Sequence, residues 1–226
     1  MPGWSRATLT QNDLVGPGLH RLSLEVPAGV SSGFHAPGQY HRVRVASGAD
    51  APFSFASAPG TNPFEYFIRE SEGVAGELTA LPLGATVKVG HPEGAGFPVE
   101  KARAHDLVLI GTGTGFAPLR SVLLTILKAR KQYRQVHGLW GVLTPAHLAF
   151  GAELPAFAQA RLHITPTVTT TGPGWKGAVG QVQDLIDTLP VENAVAFLCG
   201  QHEMVKDVTD RLGRRGLPAD RVFLNF

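Results

Sequence analysis

The sequence predicts a two-domain protein in which an antiparallel β-barrel precedes an α/β domain built on a parallel sheet. The first hundred residues contain short, partly alternating apolar runs separated by Gly, Pro, Asn and Asp, as small barrels do. From about residue 105, continuous apolar runs alternate with helical patterns, which is typical of a parallel sheet with crossover helices. We therefore expect a barrel domain at 1–102 and an α/β domain at 103–226.

The composition excludes several other classes of protein. The chain has 226 residues, of which 43% are hydrophobic and 17% charged, so it is long and apolar enough to bury a core. No apolar run approaches the ~20 residues that span a bilayer, and we find no secretory signal and no nucleic-acid-binding motif. The single Cys199 excludes an internal disulfide and a four-thiolate cluster. The His residues show no metal-ligand spacing, so we expect no metal site. The single Cys and the lack of a secretory signal lead us to expect a cytoplasmic protein.

Strands are predicted in the first domain wherever apolar and polar residues alternate over a short run. These runs are LHRLSLEV (19–26), GQYHRVRV (38–45), FEYFIRE (64–70) and ATVKVGHPEG (85–94). The segment ELTALPLG (77–84) has a helical pattern but is short, so we expect it to cap the barrel. The stretch APFSFASAPG (51–60) has two interpretations, an ordinary edge strand or an altered flavin-binding signature.

Strands and helices alternate in the second domain. LVLIG (107–111) is a continuous apolar run, as expected of a fully buried parallel strand. A helix is predicted over 117–132, where four apolar residues recur at helical spacing: Leu119, Val122, Leu123 and Ile126. Strand-like runs follow at 136–142, 162–169, 194–200 and 221–226, and helical patterns at 146–159 and 202–216.

A glycine-rich turn joins the strand at 107–111 to the helix that follows it. Glycines let the backbone approach a ligand closely, and a helix N-terminus offers free N–H groups and a partial positive charge. At the first strand of an α/β half, this arrangement favours the pyrophosphate of a dinucleotide, although tight turns also use glycine for steric reasons alone. We assign the residues of this turn to cofactor binding: Gly111, Thr112, Gly113, Thr114, Gly115 and Pro118.

The turn sequence GTGTGFAPLRS (111–121) resembles the pyridine-nucleotide motif of the ferredoxin–NADP reductase superfamily. PGQY (37–40), GVLTPAHLAFGAEL (141–154) and CGQHEMV (199–205) resemble further segments of that family in the same order. The resemblance implies an FAD-dependent NAD(P)H oxidoreductase, in which hydride passes from nicotinamide to flavin. It also implies that electrons pass on to a separate acceptor, a protein or a small molecule that the sequence does not name.

The resemblance gives APFSFASAPG its second interpretation. The family's barrel motif contains an Arg for the flavin phosphate, an aromatic residue for the flavin ring and a hydroxyl for the flavin N5 region. The matching residues here are Ala51, Pro52, Phe53 and Ser54, so the aromatic ring and the hydroxyl are kept and the Arg is missing. Pro52, Phe53 and Ser54 are assigned to flavin binding, and Ser54 also to catalysis.

A second phosphate-binding motif is also altered. Gly73 and Val74 match it, whereas Ala75 replaces its hydroxyl residue, although the backbone N–H groups could still serve. Because charge-assisted bonds to phosphate are strong, the two losses together predict weakly bound FAD. Ile68 and Arg69 are also assigned to cofactor binding. The candidates to replace the missing Arg are Arg42, Arg44 and Arg69.

On the nicotinamide side, the resemblance places Cys199 near the nicotinamide C4 and the flavin N5, as a packing contact and not as a nucleophile. The other interpretation of Cys199 is a buried core thiol. Gly200, Gln201 and Met204 continue the same motif and are assigned to the nicotinamide cofactor. Phe226 either covers the flavin or is a core aromatic at the end of a strand.

The coenzyme is NADH or NADPH, and the residues favour NADH. Thr170 and its neighbours offer hydroxyls to the adenosine end, but the nearest cation in the sequence is Lys176. Leu143 stands where many relatives carry Arg. A second hypothesis remains open because of Ala51 and Ala75: a non-catalytic nucleotide-binding sensor or assembly subunit that kept the fold and lost tight flavin binding.

Overall fold

The computed structural model describes residues 3–225, and its first half forms one antiparallel sheet. The strands are β1 (Ser5–Gly16), β2 (Leu19–Glu25), β3 (Tyr40–Arg44), β4 (Asp50–Ser54), β5 (Phe64–Arg69) and β6 (Thr86–Val89). Their order is β4-β3-β6-β1-β2-β5, with antiparallel pairs throughout. Just beyond β4, the N–H of Ala56 donates to the carbonyl of Glu65 in β5 at 2.8 Å, so the two outer strands approach each other and close the barrel.

The second half forms a parallel sheet. Its strands are β7 (Asp106–Thr112), β8 (Val136–Val142), β9 (Leu162–Val168), β10 (Ala178–Val179), β11 (Ala194–Cys199) and β12 (Val222–Leu224), in the order β10-β9-β8-β7-β11-β12. The chain reverses its direction of winding at β7, which lies between β8 and β11. In such sheets a ligand binds at the carboxyl ends of the strands beside that reversal.

The α-helices are α1 (Ala28–Ser31), α2 (Val74–Thr79), α3 (Ala117–Leu127), α4 (Leu154–Gln159) and α5 (His202–Arg214). The two longest helices, α3 and α5, lie beside the parallel sheet, and the others have four to six residues. The 3₁₀ segments are Val99–Arg103, Gly113–Phe116, Arg130–Gln132, Pro145–His147, Gly151–Glu153, Val182–Thr188 and Ala219–Arg221. None of the helices in residues 3–225 is long and apolar enough to cross a membrane.

Alternate residues of β7 face opposite sides of the sheet, as strand geometry requires. Leu107 and Leu109 pack with α3 in one apolar cluster, whereas Val108 and Ile110 pack with α5 in another. Both sides of the strand are therefore covered, which explains its uninterrupted apolar run. Because β7 is buried on both sides, its position is fixed. The glycine turn, which directly follows β7, is therefore held at the carboxyl edge of the sheet.

The barrel core contains a buried polar pair among aromatic rings. The hydroxyl of Tyr66 lies 2.8 Å from Nε2 of His41, and both side chains are buried beside Phe55 and Phe64. Burial lowers the pKa of His41 from 6.5 to about 3, because the apolar surroundings disfavour the charged ring. His41 is therefore neutral in the folded protein at physiological pH.

The predicted fold class is confirmed, but some elements differ from the sequence prediction, and two of them are instructive. The strand β1 was not predicted, because only Ala7 and Leu9 of its twelve residues are buried and the others are largely polar. The predicted helix over 146–159 is wrong in its first half, since α4 begins only at Leu154. Pro155 lies in the first turn of α4, and a helix continued through it would lose a backbone bond and clash with the preceding turn. The predicted domain boundary near 100–105 stays a prediction.

Candidate functional site

The glycine turn is held in place by contacts with the neighbouring strand. The indole N–H of Trp140 in β8 donates to the carbonyl of Gly113 at 3.1 Å, and the Trp140 ring stacks on Phe116 at the end of the turn. Gly113 has a φ of +53°, in the left-handed region that favours glycine. The turn then enters α3, where Pro118 occupies the first turn and needs no N–H partner.

Three glycines allow backbone segments to meet at the carboxyl ends of β7 and β11. A Cβ on Gly115 would lie 2.9 Å from the Cα of Gly200 and 3.0 Å from the carbonyl oxygen of Cys199. A Cβ on Gly111 would lie 2.8 Å from that same oxygen, so Gly111 serves the packing beneath the turn. A Cβ on Gly200 would lie 2.5 Å from Oγ1 of Thr112. A side chain at Gly111 or Gly115 would therefore meet backbone atoms, whereas one at Gly200 would meet the side chains of Thr112 and Met204.

A cleft of about 720 Å³ opens along the carboxyl edge of the parallel sheet, and we call it the nucleotide cleft. Its lining combines residues that the sequence singled out with residues that it did not. The former are Arg69, Thr112, Gly113, Thr114, Gly115, Leu143, Thr169, Cys199, Gly200, Gln201 and Met204; the latter are Gly141, Val142, Gly180, Gln181, Val182 and Gln183. Among the described lining residues, Arg69 is the only charged one.

A smaller cavity of about 220 Å³, the ring cavity, lies between the barrel and α3. Its lining contains the predicted residues Pro52, Phe53, Ser54, Ile68, Thr114, Gly115, Pro118 and Cys199, together with Tyr66, Phe67 and Ala117, which the sequence analysis missed. The strand β4 brings an aromatic ring and a hydroxyl to this cavity side by side. The sequence offered a signal for the missed aromatic residues, since Tyr66 and Phe67 directly precede the predicted residue Ile68 in FEYFIRE.

The two cavities meet at Thr114, Gly115 and Cys199, which line both. Burial raises the pKa of the Cys199 thiol to about 11, although a hydrogen bond with Asn225 opposes the rise. The thiol is thus protonated at neutral pH and is a poor nucleophile. The amide of Asn225 also lies 3.5 Å from Oγ of Ser54, so side chains from both halves of the molecule converge at this junction.

The barrel positions that correspond to the phosphate motifs are apolar. The side chains of Ala51 and Ala75 pack against the barrel core. Arg42 and Arg44 do not take over the missing guanidinium, because both bind the carboxylate of Asp50. These two hydrogen bonds hold the pKa of Asp50 below its ordinary value. Of the three candidate replacements, Arg69 is the one that reaches a cavity.

Several predicted site residues line neither cavity: Gly73, Val74, Ala75, Gly111 and Thr170. Gly73 has a φ of +74° and stands at the N-terminus of α2, beside Val74 and Ala75. Phe226 lies outside the described residues, so its role stays a prediction. Within residues 3–225 no group of three or more His, Cys, Asp or Glu side chains is arranged to hold a metal ion.

The parallel-sheet half matches a known family model. Residues 109–210 match the model of the oxidoreductase NAD-binding domain. The chain is also 33% identical over 195 residues to the sulfhydrogenase 1 subunit gamma of Pyrococcus furiosus, a match that covers 83% of this chain and 66% of that subunit. It therefore spans slightly less than two thirds of that relative's length.

A second relative matches along nearly its whole length. Ferredoxin–NADP reductase B of Sorangium cellulosum is 31% identical over 222 residues, which covers 91% of this chain and 90% of the relative. The chain belongs to the ferredoxin–NADP reductase family. The family predicted from the motifs is thereby confirmed, and with it the class of flavin-dependent NAD(P)H oxidoreductases that use FAD and NAD(P)H.

The architecture of this reductase also agrees with solved structures. A ferredoxin NADP⁺ reductase from Neisseria gonorrhoeae, solved with bound FAD and NADP, superposes with a TM-score of 0.85 over 99% of both chains at 22% identity. At this level of identity the likeness shows the fold.

The lining of the ring cavity suits a flavin ring, because Phe53, Ser54 and Tyr66 offer aromatic carbon and a hydroxyl group. The apolar side chains of Ala51 and Ala75 do not suit the flavin phosphates.

Proposed function

We propose that this chain oxidises NADH in the nucleotide cleft, reduces a loosely held flavin in the ring cavity and passes the electrons to a separate acceptor. The observation that carries the proposal is the junction of the two cavities at Thr114, Gly115 and Cys199. A flavin supplies a ring that accepts hydride from the nicotinamide C4 and releases two electrons, together or singly. Hydride transfer needs two rings at contact with water excluded, and a shared wall is where two ligands would touch.

The residues of this chain divide the remaining work among binding, orientation and exclusion of water. The glycine turn Gly113–Phe116 offers its backbone N–H groups to the cleft, where a pyrophosphate would bind. Ser54 presents a hydroxyl to the ring cavity, where it would contact a bound flavin. Cys199, protonated and mostly buried, contributes a polarisable contact at the junction and holds water away from it.

The adenosine of the coenzyme is proposed to bind beside Leu143 and Thr169, and we call this part of the nucleotide cleft its adenosine end. NADH is the proposed coenzyme because none of the described lining residues there is a cation. Leu143 is 56% exposed there and contributes an apolar side chain. Thr169, Gln181 and Gln183 offer hydroxyl and amide groups that suit ribose hydroxyls. A 2′-phosphate would lose its water at this surface without gaining an Arg or Lys, so NADPH is disfavoured.

The flavin is proposed to dissociate readily. The ring cavity offers Phe53 and Ser54 to the flavin ring, whereas methyl groups replace both phosphate-binding side chains. The loss of one charge-assisted contact costs roughly 1.5–3 kcal/mol, or about one to two orders of magnitude in affinity.

The cytoplasmic location stays an expectation from the sequence.

The acceptor is proposed to be a separate protein or a small molecule. The support is the kind of relative that the chain resembles, since one is named a sulfhydrogenase gamma subunit and another a dihydroorotate dehydrogenase electron transfer subunit. Relatives with such names work beside other subunits. A free flavin is the small-molecule candidate, because an NAD(P)H-flavin reductase of Aliivibrio fischeri is 29% identical over 74% of this chain.

The test is anaerobic titration of the purified protein with FAD and then with NADH, followed by absorbance. We expect added FAD to bind, NADH to bleach its visible absorbance, and NADPH to do so at least tenfold more slowly. Ser54→Ala should bind FAD and bleach more slowly than the wild type. A protein that binds NADH and neither binds nor reduces FAD would reject the proposal and favour the non-catalytic nucleotide-binding alternative.

A further inference from the structure

The side chain of Arg120 is buried between the two halves of the molecule. It projects from α3 with 5% of its surface exposed. Its Nε and Nη2 donate to the two carboxylate oxygens of Glu153, each at 2.8 Å. Its Nη1 donates to Oε2 of Glu65 and to the carbonyl of Ala56, also at 2.8 Å each. Glu153 precedes α4 in the parallel-sheet half, whereas Glu65 and Ala56 belong to the barrel, so one guanidinium binds both.

The positive and negative groups around Arg120 are equal in number. Glu65 also accepts a hydrogen bond from Arg21 of β2, which gives two guanidinium groups and two carboxylates. Burial opposes ionisation of Glu65, but the hydrogen bond from Arg21 and the charge of Arg120 outweigh it and lower its pKa. For Arg120, burial is likewise outweighed by Glu153 and Glu65, so its pKa is raised. The contact between Arg120 and Glu65 therefore favours the charged form of both groups.

Ala56 and Arg120, which are hydrogen-bonded to each other, each lie two positions along the chain from a residue that lines the ring cavity. Ala56 follows Ser54 by two positions, and Ser54 lines the ring cavity. Arg120 follows Pro118 by two positions, and Pro118 lines the same cavity from the side of the glycine turn. The next residue strengthens the connection, because the hydroxyl of Ser121 donates to the carbonyl of Ser57 at 2.6 Å.

We propose that Arg120 is a positioning residue that fixes the distance between the barrel strand carrying Ser54 and the glycine turn, and so sets the contact between the flavin and nicotinamide rings. The inference rests on the proposed function. It names Arg120 as acting through the backbone and not by touching either ring. Stability alone explains the arrangement poorly, since buried ion pairs often contribute little net stability compared with apolar residues of the same size. Geometry explains it better, because a misplacement of about 1 Å between reacting groups can cost ~100-fold in rate.

Arg130 provides a matched control. It is also an arginine that holds carbonyl groups, those of Ala160, Tyr133 and Arg161, at 2.7 to 2.9 Å. All of these partners belong to the parallel-sheet half. Arg130→Met therefore removes a comparable set of bonds without touching the barrel.

The experiment compares Arg120→Met, Arg120→Lys and Arg130→Met with the wild type. Stopped-flow absorbance would measure hydride transfer from NADH and from its C4-deuterated form to protein-bound FAD. Equilibrium titration would measure the Kd values of both ligands, and amide hydrogen exchange would be measured without added ligand. For Arg120→Met we expect hydride transfer about 10- to 100-fold slower, Kd values within threefold of wild type, and at least tenfold faster exchange in segments 53–58 and 112–119.

The two control variants make the expectation specific. Arg120→Lys keeps the positive charge but loses the planar guanidinium that donates two parallel hydrogen bonds to Glu153. It should therefore show the same changes to a smaller degree. Arg130→Met should leave hydride transfer within twofold and exchange in both segments unchanged. The proposal is overturned if folded Arg120→Met, or folded Arg120→Lys where Arg120→Met does not fold, keeps the wild-type exchange in these segments. It is also overturned if Arg130→Met shows the same losses. A wild-type protein that fails to reduce FAD would reject the proposed function, while hydrogen exchange would still decide the role of Arg120.

Discussion

The backbones of Gly115 and Gly200 pass so close that a methyl group on Gly115 would lie 2.9 Å from the Cα of Gly200. Gly115 ends the glycine turn after β7, and Gly200 directly follows β11, the adjacent strand. Gly115 lines both the nucleotide cleft and the ring cavity, and Gly200 lines the nucleotide cleft. A side chain at Gly115 would meet backbone atoms, which cannot rotate away.

Gly115→Ala should therefore damage the junction while leaving the fold intact. We expect the KM for NADH to rise at least tenfold and hydride transfer to slow about 100-fold, because the turn must shift away from β11. Steady-state and stopped-flow kinetics would measure both. Gly213→Ala is the matched control, since a Cβ at this position in α5 meets no heavy atom within 4 Å and alanine favours a helix. Wild-type kinetics in Gly115→Ala would contradict the assignment of the junction.

Ala51→Arg should restore phosphate binding by the barrel. We expect the variant to bind FAD and FMN about 10- to 100-fold more tightly than the wild type and riboflavin, which lacks phosphate, with unchanged affinity. Fluorescence titration with the three flavins would measure this. Ala49→Arg adds the same charge in the exposed loop before β4 and should change none of the affinities. Equal tightening for riboflavin would show that the new side chain acts on the ring.

Leu143→Arg should raise the use of NADPH. A guanidinium at this exposed position of the cleft gives a 2′-phosphate a charged partner, and we expect kcat/KM for NADPH to rise at least tenfold. The value for NADH should change less than threefold. Leu14→Arg is the control, because Leu14 is 65% exposed on β1 and lines neither cavity. If NADPH use does not rise, the 2′-position of the coenzyme lies elsewhere.

His41 should make the folded protein less stable as the pH falls. Its pKa is about 3 when folded and 6.5 as an unperturbed group, so below pH 6.5 the unfolded chain binds a proton that the folded chain does not. The stabilisation is fully present above pH 6.5 and is lost progressively toward pH 3, by about 1.4 kcal/mol per pH unit.

The measurement is urea unfolding at several pH values between 4.5 and 7. His41→Gln keeps an acceptor for the Tyr66 hydroxyl and removes the titrating ring. Between pH 6.5 and 4.5 the wild type should lose about 2–3 kcal/mol more unfolding free energy than this variant. His105→Gln, at a half-buried position just before β7, should follow the wild type. Parallel pH profiles for the wild type and His41→Gln would refute the shift.

The sequence predicted those site residues that are neighbours along the chain. Gly113, Thr114 and Gly115 form one turn between a buried strand and a helix, and this local pattern is enough to predict a phosphate-binding turn. Residues such as Gln181 and Gln183 were missed, because they follow the two-residue strand β10 and then form a 3₁₀ segment. Their signal was their place after a strand at the carboxyl edge, and that became visible only when the strands were ordered.

The candidates to replace the missing phosphate-binding Arg are a second example of what the sequence alone could not decide. Three arginines were candidates from their spacing, and spacing could not choose among them. The structure pairs Arg42 and Arg44 with Asp50 across β3 and β4, and leaves Arg69 at the nucleotide cleft. Which charges neutralise one another depends on strand register, and register is set by tertiary pairing.

The sequence by itself determined the two-part fold, the glycine turn, the pair Phe53–Ser54 and the family, because each depends on local periodicity or on a short contiguous motif. Only the tertiary structure decided that Thr114, Gly115 and Cys199 join two cavities, and that Arg120 binds Glu65 and Ala56 of the barrel together with Glu153. The hydrogen-bond partners of Arg120 lie 33 to 64 positions away from it along the chain. Contacts at such separations form only when the whole chain packs, so no local pattern encodes them.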